Sequence, residues 1–151
     1  MKILLFLAAF YFAATGTVLS QGSNQAFDLS ANPDAKNHLD LGDLPLGETD
    51  FTVEFWYKAG GAGGDPAIFS NKDWDSGTNT GINVAIQGGG SNMDINFKSA
   101  ESDRVDLNVT TIDFGARWNF VSIIVERATE IKVYVNGVLQ VTADISESIG
   151  T

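Results

Sequence analysis

No cysteine occurs in the 151 residues. That excludes a disulfide framework, a thiolate nucleophile, a cysteine-ligated metal and the lipidated cysteine of a lipoprotein anchor. The single histidine, His38, cannot make a two-histidine metal motif, and no G-x-S-x-G elbow exists to give it a nucleophile. His38 is therefore expected as a surface or strand-edge residue. Basic residues are scarce: nine Lys and Arg stand against 19 Asp and Glu. This argues against nucleic acid as a partner, because Lys and Arg supply that affinity by neutralising phosphates. The acidity fits solubility outside the cell and also fits cation binding, and charge does not separate the two.

The long apolar run is confined to the start. Lys2 precedes ILLFLAAFYFAA (Ile3 to Ala14), and TGTVLS follows. One positive charge, a short apolar core and small residues before a cut site are the parts of a secretory signal. Val18 and Ser20 suit the positions three and one before cleavage, leaving Gln21 as the new N-terminus. Spanning a bilayer takes about 20 apolar residues, more than this run offers. The expected organisation is a signal peptide over 1–20 and one domain over 21–151, in a secreted chain that is extracellular or periplasmic. Removing Lys2 leaves a net charge near −11.

Helical periodicity is absent from the rest. Short runs of strand composition recur instead, separated by Gly, Asp, Asn and Ser. They are FTVEFWYK (Phe51 to Lys58), PAIFS (Pro66 to Ser70), INVAIQ (Ile82 to Gln87), MDINFKS (Met93 to Ser99), VDLNVTT (Val105 to Thr111), WNFVSIIVER (Trp118 to Arg127) and IKVYVNGVLQVTAD (Ile131 to Asp144). Alternation in the first puts Phe51, Val53, Phe55 and Tyr57 on one face, and Thr52, Glu54, Trp56 and Lys58 on the other. Asn136-Gly137 accepts the positive φ angles of a type I′ turn and predicts a hairpin pairing Val135 with Val138 and Tyr134 with Leu139. Many short strands with glycine-rich turns mean a β-sandwich or jelly roll. AGGAGGD (Ala59 to Asp65) and QGGGSN (Gln87 to Asn92) are loops, and no helix follows them to make a phosphate cradle.

The order FTVEFWYK, AIFSNK, a glycine-rich strand pair, WNFVSIIVE and IKVYVNGVLQ resembles the LamG-type concanavalin A-like jelly roll, the group of laminin G and pentraxin modules. The resemblance runs from about Ala26 to Ile145, and NHLDLGDL (Asn37 to Leu44) fits the family's entry strand. It implies an all-β, two-sheet antiparallel sandwich. In the family further strands follow the hairpin, whereas this chain stops at SESIGT (Ser146 to Thr151). The resemblance thus implies a jelly roll incomplete at its C-terminus, with open edges and a tendency to self-associate.

Some relatives of this fold are glycoside hydrolases, which need two suitably spaced carboxylates. Glu48, Asp50 and Glu54 share a strand parity, but Thr52 interrupts the closer spacing of the hydrolases. An acidic turn leading into a core strand is the expectation, and catalysis is not.

The remaining candidate is NKDWDSGTNTG (Asn71 to Gly81). Asp73, Asp75 and Asn79 lie at alternate positions, as calcium-binding loops place their oxygens. Glycine stands where a third acid would be. Pentraxin-like relatives place calcium ligands in the loop after this strand, which implies calcium as a cofactor on Asp73, Asp75 and Asn79. Trp74 between the two aspartates offers a flat face for a sugar ring, or else covers the sheet. Trp56 and Trp118 are expected to pack, although Trp56 shares its face with Glu54 and Lys58. Asn108-Val109-Thr110 is a glycosylation sequon, relevant in a eukaryotic source. The reading is a secreted binding module for a glycan or glycoconjugate, calcium-assisted, through Asp73, Trp74, Asp75 and Asn79. The alternatives are a protein-binding or adhesive accessory domain of a larger hydrolase-containing protein, and a truncated remnant without activity of its own.

Overall fold

The computed structural model describes residues 41–42, 49–59, 67–72, 80–87, 91–99 and 104–146. The chain divides into two units, one of Met1–Leu5 with Pro45–Thr151 and one of Phe6–Leu44. Only Leu41 and Gly42 of the second are among the described residues. His38, the expected entry strand's other residues and the leader lie outside them.

Eight strands make up the described part of the larger unit: β1 (Phe51–Tyr57), β2 (Ala67–Ser70), β3 (Gly81–Gln87), β4 (Asn92–Lys98), β5 (Val105–Val109), β6 (Asn119–Glu126), β7 (Glu130–Val135) and β8 (Val138–Asp144). They form two antiparallel four-stranded sheets, β1-β6-β7-β8 and β2-β3-β4-β5. The expected all-β two-sheet sandwich is the fold. No helix among the described residues is long and apolar enough to cross a membrane.

Strand alternation decides which side chains meet between the sheets. Val121, Ile123 and Val125 of β6 and Ile131, Val133 and Val135 of β7 face Ile82, Val84, Ile86, Met93, Ile95, Phe97, Leu107 and Val109 of the other sheet, all buried. Each such side chain contributes about 1.5–3 kcal/mol on leaving water. Phe114, fully buried in the crossover from β5 to β6, closes one end of the core. Its carbonyl accepts from the amide of Ala59 at 2.8 Å. At the other end Arg127 donates from its backbone N–H to Asp50 Oδ1 at 2.8 Å. Its guanidinium stands 5.5 Å from the Phe51 ring centroid and 5.7 Å from that of Phe97, so one cation bridges rings from both sheets.

The hairpin turns where its sequence says. Asn136 and Gly137 have φ of 53° and 79°, and Val135 pairs with Val138 and Tyr134 with Leu139. Asn136 also serves as a clamp. Its N–H donates to Phe120 O at 2.8 Å, its Oδ1 accepts from Phe120 N at 3.0 Å and its Nδ2 donates to Asn119 Oδ1 at 2.9 Å.

Candidate functional site

The outer face of the β2-β3-β4-β5 sheet carries the alternate residues of its strands, and these are polar. Ser70 on β2 pairs with Asn83 on β3, Asn83 with Asn96 on β4, and Asn96 with Asp106 on β5, so one polar row crosses all four strands. The next row is Ala67, Ala85, Asp94 and Asn108. Of its two alanines Ala67 is exposed and Ala85 buried. Asn83, Asp94 and Asn96 are buried and form the floor, while Ser70, Asp106 and Asn108 are exposed at the rim.

The hydrogens of the polar row can be placed from donor and acceptor chemistry alone. Ser70 Oγ donates to the carbonyl of Lys72. It therefore accepts from Lys72 N at 3.2 Å and from Asn83 Nδ2 at 3.0 Å. Asp106 can only accept, so Asn96 presents Nδ2 to Asp106 Oδ1, at 2.6 Å. Both amides thus point their NH2 groups outward, to β2 and to β5. Their carbonyl oxygens are buried, and neither finds a donor among the described residues. A buried acceptor left in this state costs about 1–3 kcal/mol. The row is built to receive hydrogen-bond donors that the described chain does not supply.

Cations gather at one end of this face. Arg104 Nε and NH2 reach Asp106 Oδ2 at 3.0 and 2.8 Å. Lys98 and Arg104 stand one residue beyond the last paired positions, Phe97 and Val105. Lys72 lies near both. Burial holds its pKa below the ordinary lysine value; Arg104 and Lys98 push the same way, and Asp106 opposes them.

The segment Asn71 to Gly81 begins and ends at this end, and both its feet are fixed. Asn71 N donates to Ile82 O at 3.2 Å and Asn71 Oδ1 accepts from Ile82 N at 2.8 Å. Gly81 has φ of 128°, and a Cβ there would collide with Asn71 Oδ1. The foot therefore requires glycine. Asp73, Trp74, Asp75 and Asn79 lie outside the described residues. What is fixed is that the described ends of the segment, Asn71–Lys72 and Thr80–Gly81, adjoin the polar row. Among the described residues no group of three His, Cys, Asp or Glu side chains could hold a metal ion.

The acids once weighed for catalysis have other partners. Asp50 caps the backbone of Arg127, and Glu54 Oε1 accepts from Ser122 Oγ at 3.1 Å. Glu48 is outside the described residues. Two tryptophans depart from expectation. Trp56 is 64% and Trp118 48% exposed, so neither is a core packing residue. Trp56 lies on the outer face of β1, an edge strand of its sheet, and Phe120 alone among the described aromatic rings lies against it.

Sequence reasoning passed over Asn83, Asn96, Asp94 and Arg104. The signal was present: INVAIQ and MDINFK alternate apolar residues with Asn, Ala and Gln and with Asp, Asn and Lys. That pattern shows a polar face, but the pairing of Asn83 with Asn96 needs the register across the hairpin.

Comparison with known proteins gives one family. A family model for laminin G-type domains of the concanavalin A-like lectin/glucanases superfamily matches residues 33–151. No curated protein matches. Among solved structures, the binding domain of botulinum neurotoxin serotype D superposes with a TM-score of 0.55 at 17% identity, covering 72% of this chain and 28% of that one. The receptor-binding domain of botulinum neurotoxin mosaic serotype C/D gives 0.53 at 20% identity, covering 66% and 25%. The binding domain of Paraclostridial Mosquitocidal Protein 1 gives 0.52 at 14%, covering 72% and 29%. At these identities the likeness is one of fold. The chain spans less than a third of the length of each of these structures.

Proposed function

The chain belongs to the concanavalin A-like lectin/glucanase superfamily, and from that premise we propose that it is a secreted glycan-binding module. Its ligand lies on the outer face of the β2-β3-β4-β5 sheet, and the segment Asn71 to Gly81 contributes to binding it. The observation that carries this reading is the pair of buried oxygens on Asn83 and Asn96 without a donor among the described residues. A sugar hydroxyl donates and accepts at once. It can donate to these oxygens and accept from the cations Lys72, Lys98 and Arg104 at the rim. Trp74 supplies the apolar face for the ring, and Asp73, Asp75 and Asn79 supply oxygens to a calcium ion that stiffens the loop. The reading is one of binding: Asp50 and one oxygen of Glu54, the described carboxylates of β1 and its turn, are engaged in structural bonds.

The test is a glycan array probed with the full chain and with two variants, N83L/N96L and D73A/W74A/D75A. Loss of the same array signals in both variants, with thermal unfolding intact, is the expected result. Signals retained by both variants would remove the ligand from this face.

A further inference from the structure

The outer face of the other sheet is mixed: charged residues lie over β6 and β7, and an aromatic pair with an exposed indole lies at the β1 edge. Trp56 of β1 stands opposite Phe120 of β6, their ring centroids 5.4 Å apart and their planes inclined at 46°. In the adjacent row Glu54 opposes Ser122, Ser122 opposes Tyr134, and Tyr134 opposes Leu139. Leu139 is 48% exposed, and Trp56 more so. Leaving a large side chain in water forgoes about 1.5–3 kcal/mol of burial. The indole lies in a strand whose alternate residues do reach the core, so the fold had apolar positions to offer it.

We propose that Trp56, with Phe120 and Glu54, is a platform for one pyranose ring of a neutral glycan, a second site on the sheet opposite the polar row. Three features select that occupant. An aromatic face is electron-rich and attracts the slightly positive C–H groups on the flat side of a sugar ring. Beside it, Ser122 holds Glu54 in place and leaves Glu54 Oε2 to accept from a ring hydroxyl. The chain's net charge of −10 disfavours an anionic sugar, while Glu54 and Lys58, each two residues from Trp56, offer a hydroxyl an acceptor and a donor. A protein partner fits less well, because the core of a protein interface is depleted of charge and this platform has a carboxylate at its centre. Two sugar sites on opposite faces would let one module bridge two glycan chains.

The experiment uses the full chain and W56A, E54Q and N83L/N96L variants, titrated calorimetrically with neutral cello-, xylo-, manno- and galacto-oligosaccharides. Sedimentation and thermal unfolding are recorded for each variant. The expected result is a tenfold or greater loss of affinity for one of these sugars in W56A, and a smaller loss in E54Q. N83L/N96L keeps this binding, and the unfolding midpoint of W56A is unchanged, since the indole is exposed. Affinity unchanged in W56A, or no binding of any of these sugars, overturns the platform. So does a dimer that W56A disperses without any change in sugar binding, because this face then joins two copies. The reading of the opposite sheet stands or falls with N83L/N96L on the array, independently of Trp56.

Discussion

Asn96 donates from Nδ2 to Asp106 Oδ1 at 2.6 Å, and that one bond orients the amide. Because a carboxylate cannot donate, the carbonyl oxygen of Asn96 is turned away from β5. On the paired strand Asn83, held by Ser70, makes the mirror-image choice. Two directly paired positions then each hold a buried acceptor without a donor among the described residues. Folding alone would favour apolar residues there.

The first prediction follows from that conflict. Replacing both Asn83 and Asn96 by leucine removes two unsatisfied acceptors together with two hydrogen bonds, an exchange that is near neutral for stability. Chemical denaturation of N83L/N96L should give a stability within about 1 kcal/mol of the parent chain, while glycan binding is lost. A stability loss above about 3 kcal/mol would make the row a structural network rather than a binding floor.

Gly81→Ala tests the foot of the loop. The added Cβ meets Asn71 Oδ1 at a backbone angle that L residues rarely adopt, so the Asn71–Ile82 clamp must open. The variant should lose about 1–3 kcal/mol. In a calorimetric titration it should also lose affinity for any ligand that the polar face shares with the loop. Unchanged stability would mean that the clamp is dispensable.

Much of this frame was legible beforehand, and the reason is local. Strand alternation is a two-residue signal, and the Asn136-Gly137 turn sets its own register, so the pairing of Tyr134 with Leu139 could be named from four residues. What was not legible depended on neighbours distant in sequence. Trp56 has the alternation of a half-buried strand, but which of its faces stays open depends on how the two sheets pack. Asn83 and Asn96 were passed over, because nothing in their own strands shows that this polar face is buried.

Asn136→Ala separates the turn from the clamp. It removes two side-chain bonds, to Phe120 N and Asn119 Oδ1, and places a Cβ residue at φ of 53°. A loss of about 2–4 kcal/mol is expected by denaturant unfolding. Asn136→Gly loses the same bonds without the strain and should recover about 1 kcal/mol of that loss. Equal losses in the two variants would show that the side-chain bonds carry the whole effect.

On the outer face of the other sheet, across β6 and β7, Lys132 Nζ lies 2.8 Å from Glu130 Oε1 and 2.9 Å from Glu126 Oε2. The hydrogen bond from Lys132, then that from Thr142, lowers the pKa of Glu130, and hydrogen bonds from Ser146 lower that of Asp144. Hydrogen bonds to Glu130 and then Glu126 raise that of Lys132. The carboxylates therefore contribute stability that is present above their unfolded values and is lost as pH falls through the folded ones. Lys132 contributes stability that is present below its unfolded value and is lost as pH rises through the folded one. All three groups are at the surface, so salt screens the effect. Hydrogen exchange of the β7–β8 amides should quicken at the acid end in low salt, and less so in 0.5 M NaCl (Debye length about 4 Å). Identical acid limbs in both salts would assign no role to the Glu130 cluster.

Calcium is tested most directly by stability, because the ion stabilises only the state that binds it. A loop of extracellular type has a dissociation constant of roughly 0.5 mM. At about 5 mM calcium, mass action then adds about 1.4 kcal/mol relative to chelator, or about 3 to 6 °C in the unfolding midpoint of a domain this size. The D73A/D75A variant should unfold at the chelator temperature in both conditions. A shift that survives D73A/D75A would place the ion elsewhere. A parent chain whose cooperative transition ignores calcium would leave Asp73, Asp75 and Asn79 to act on the glycan as hydrogen-bond acceptors alone.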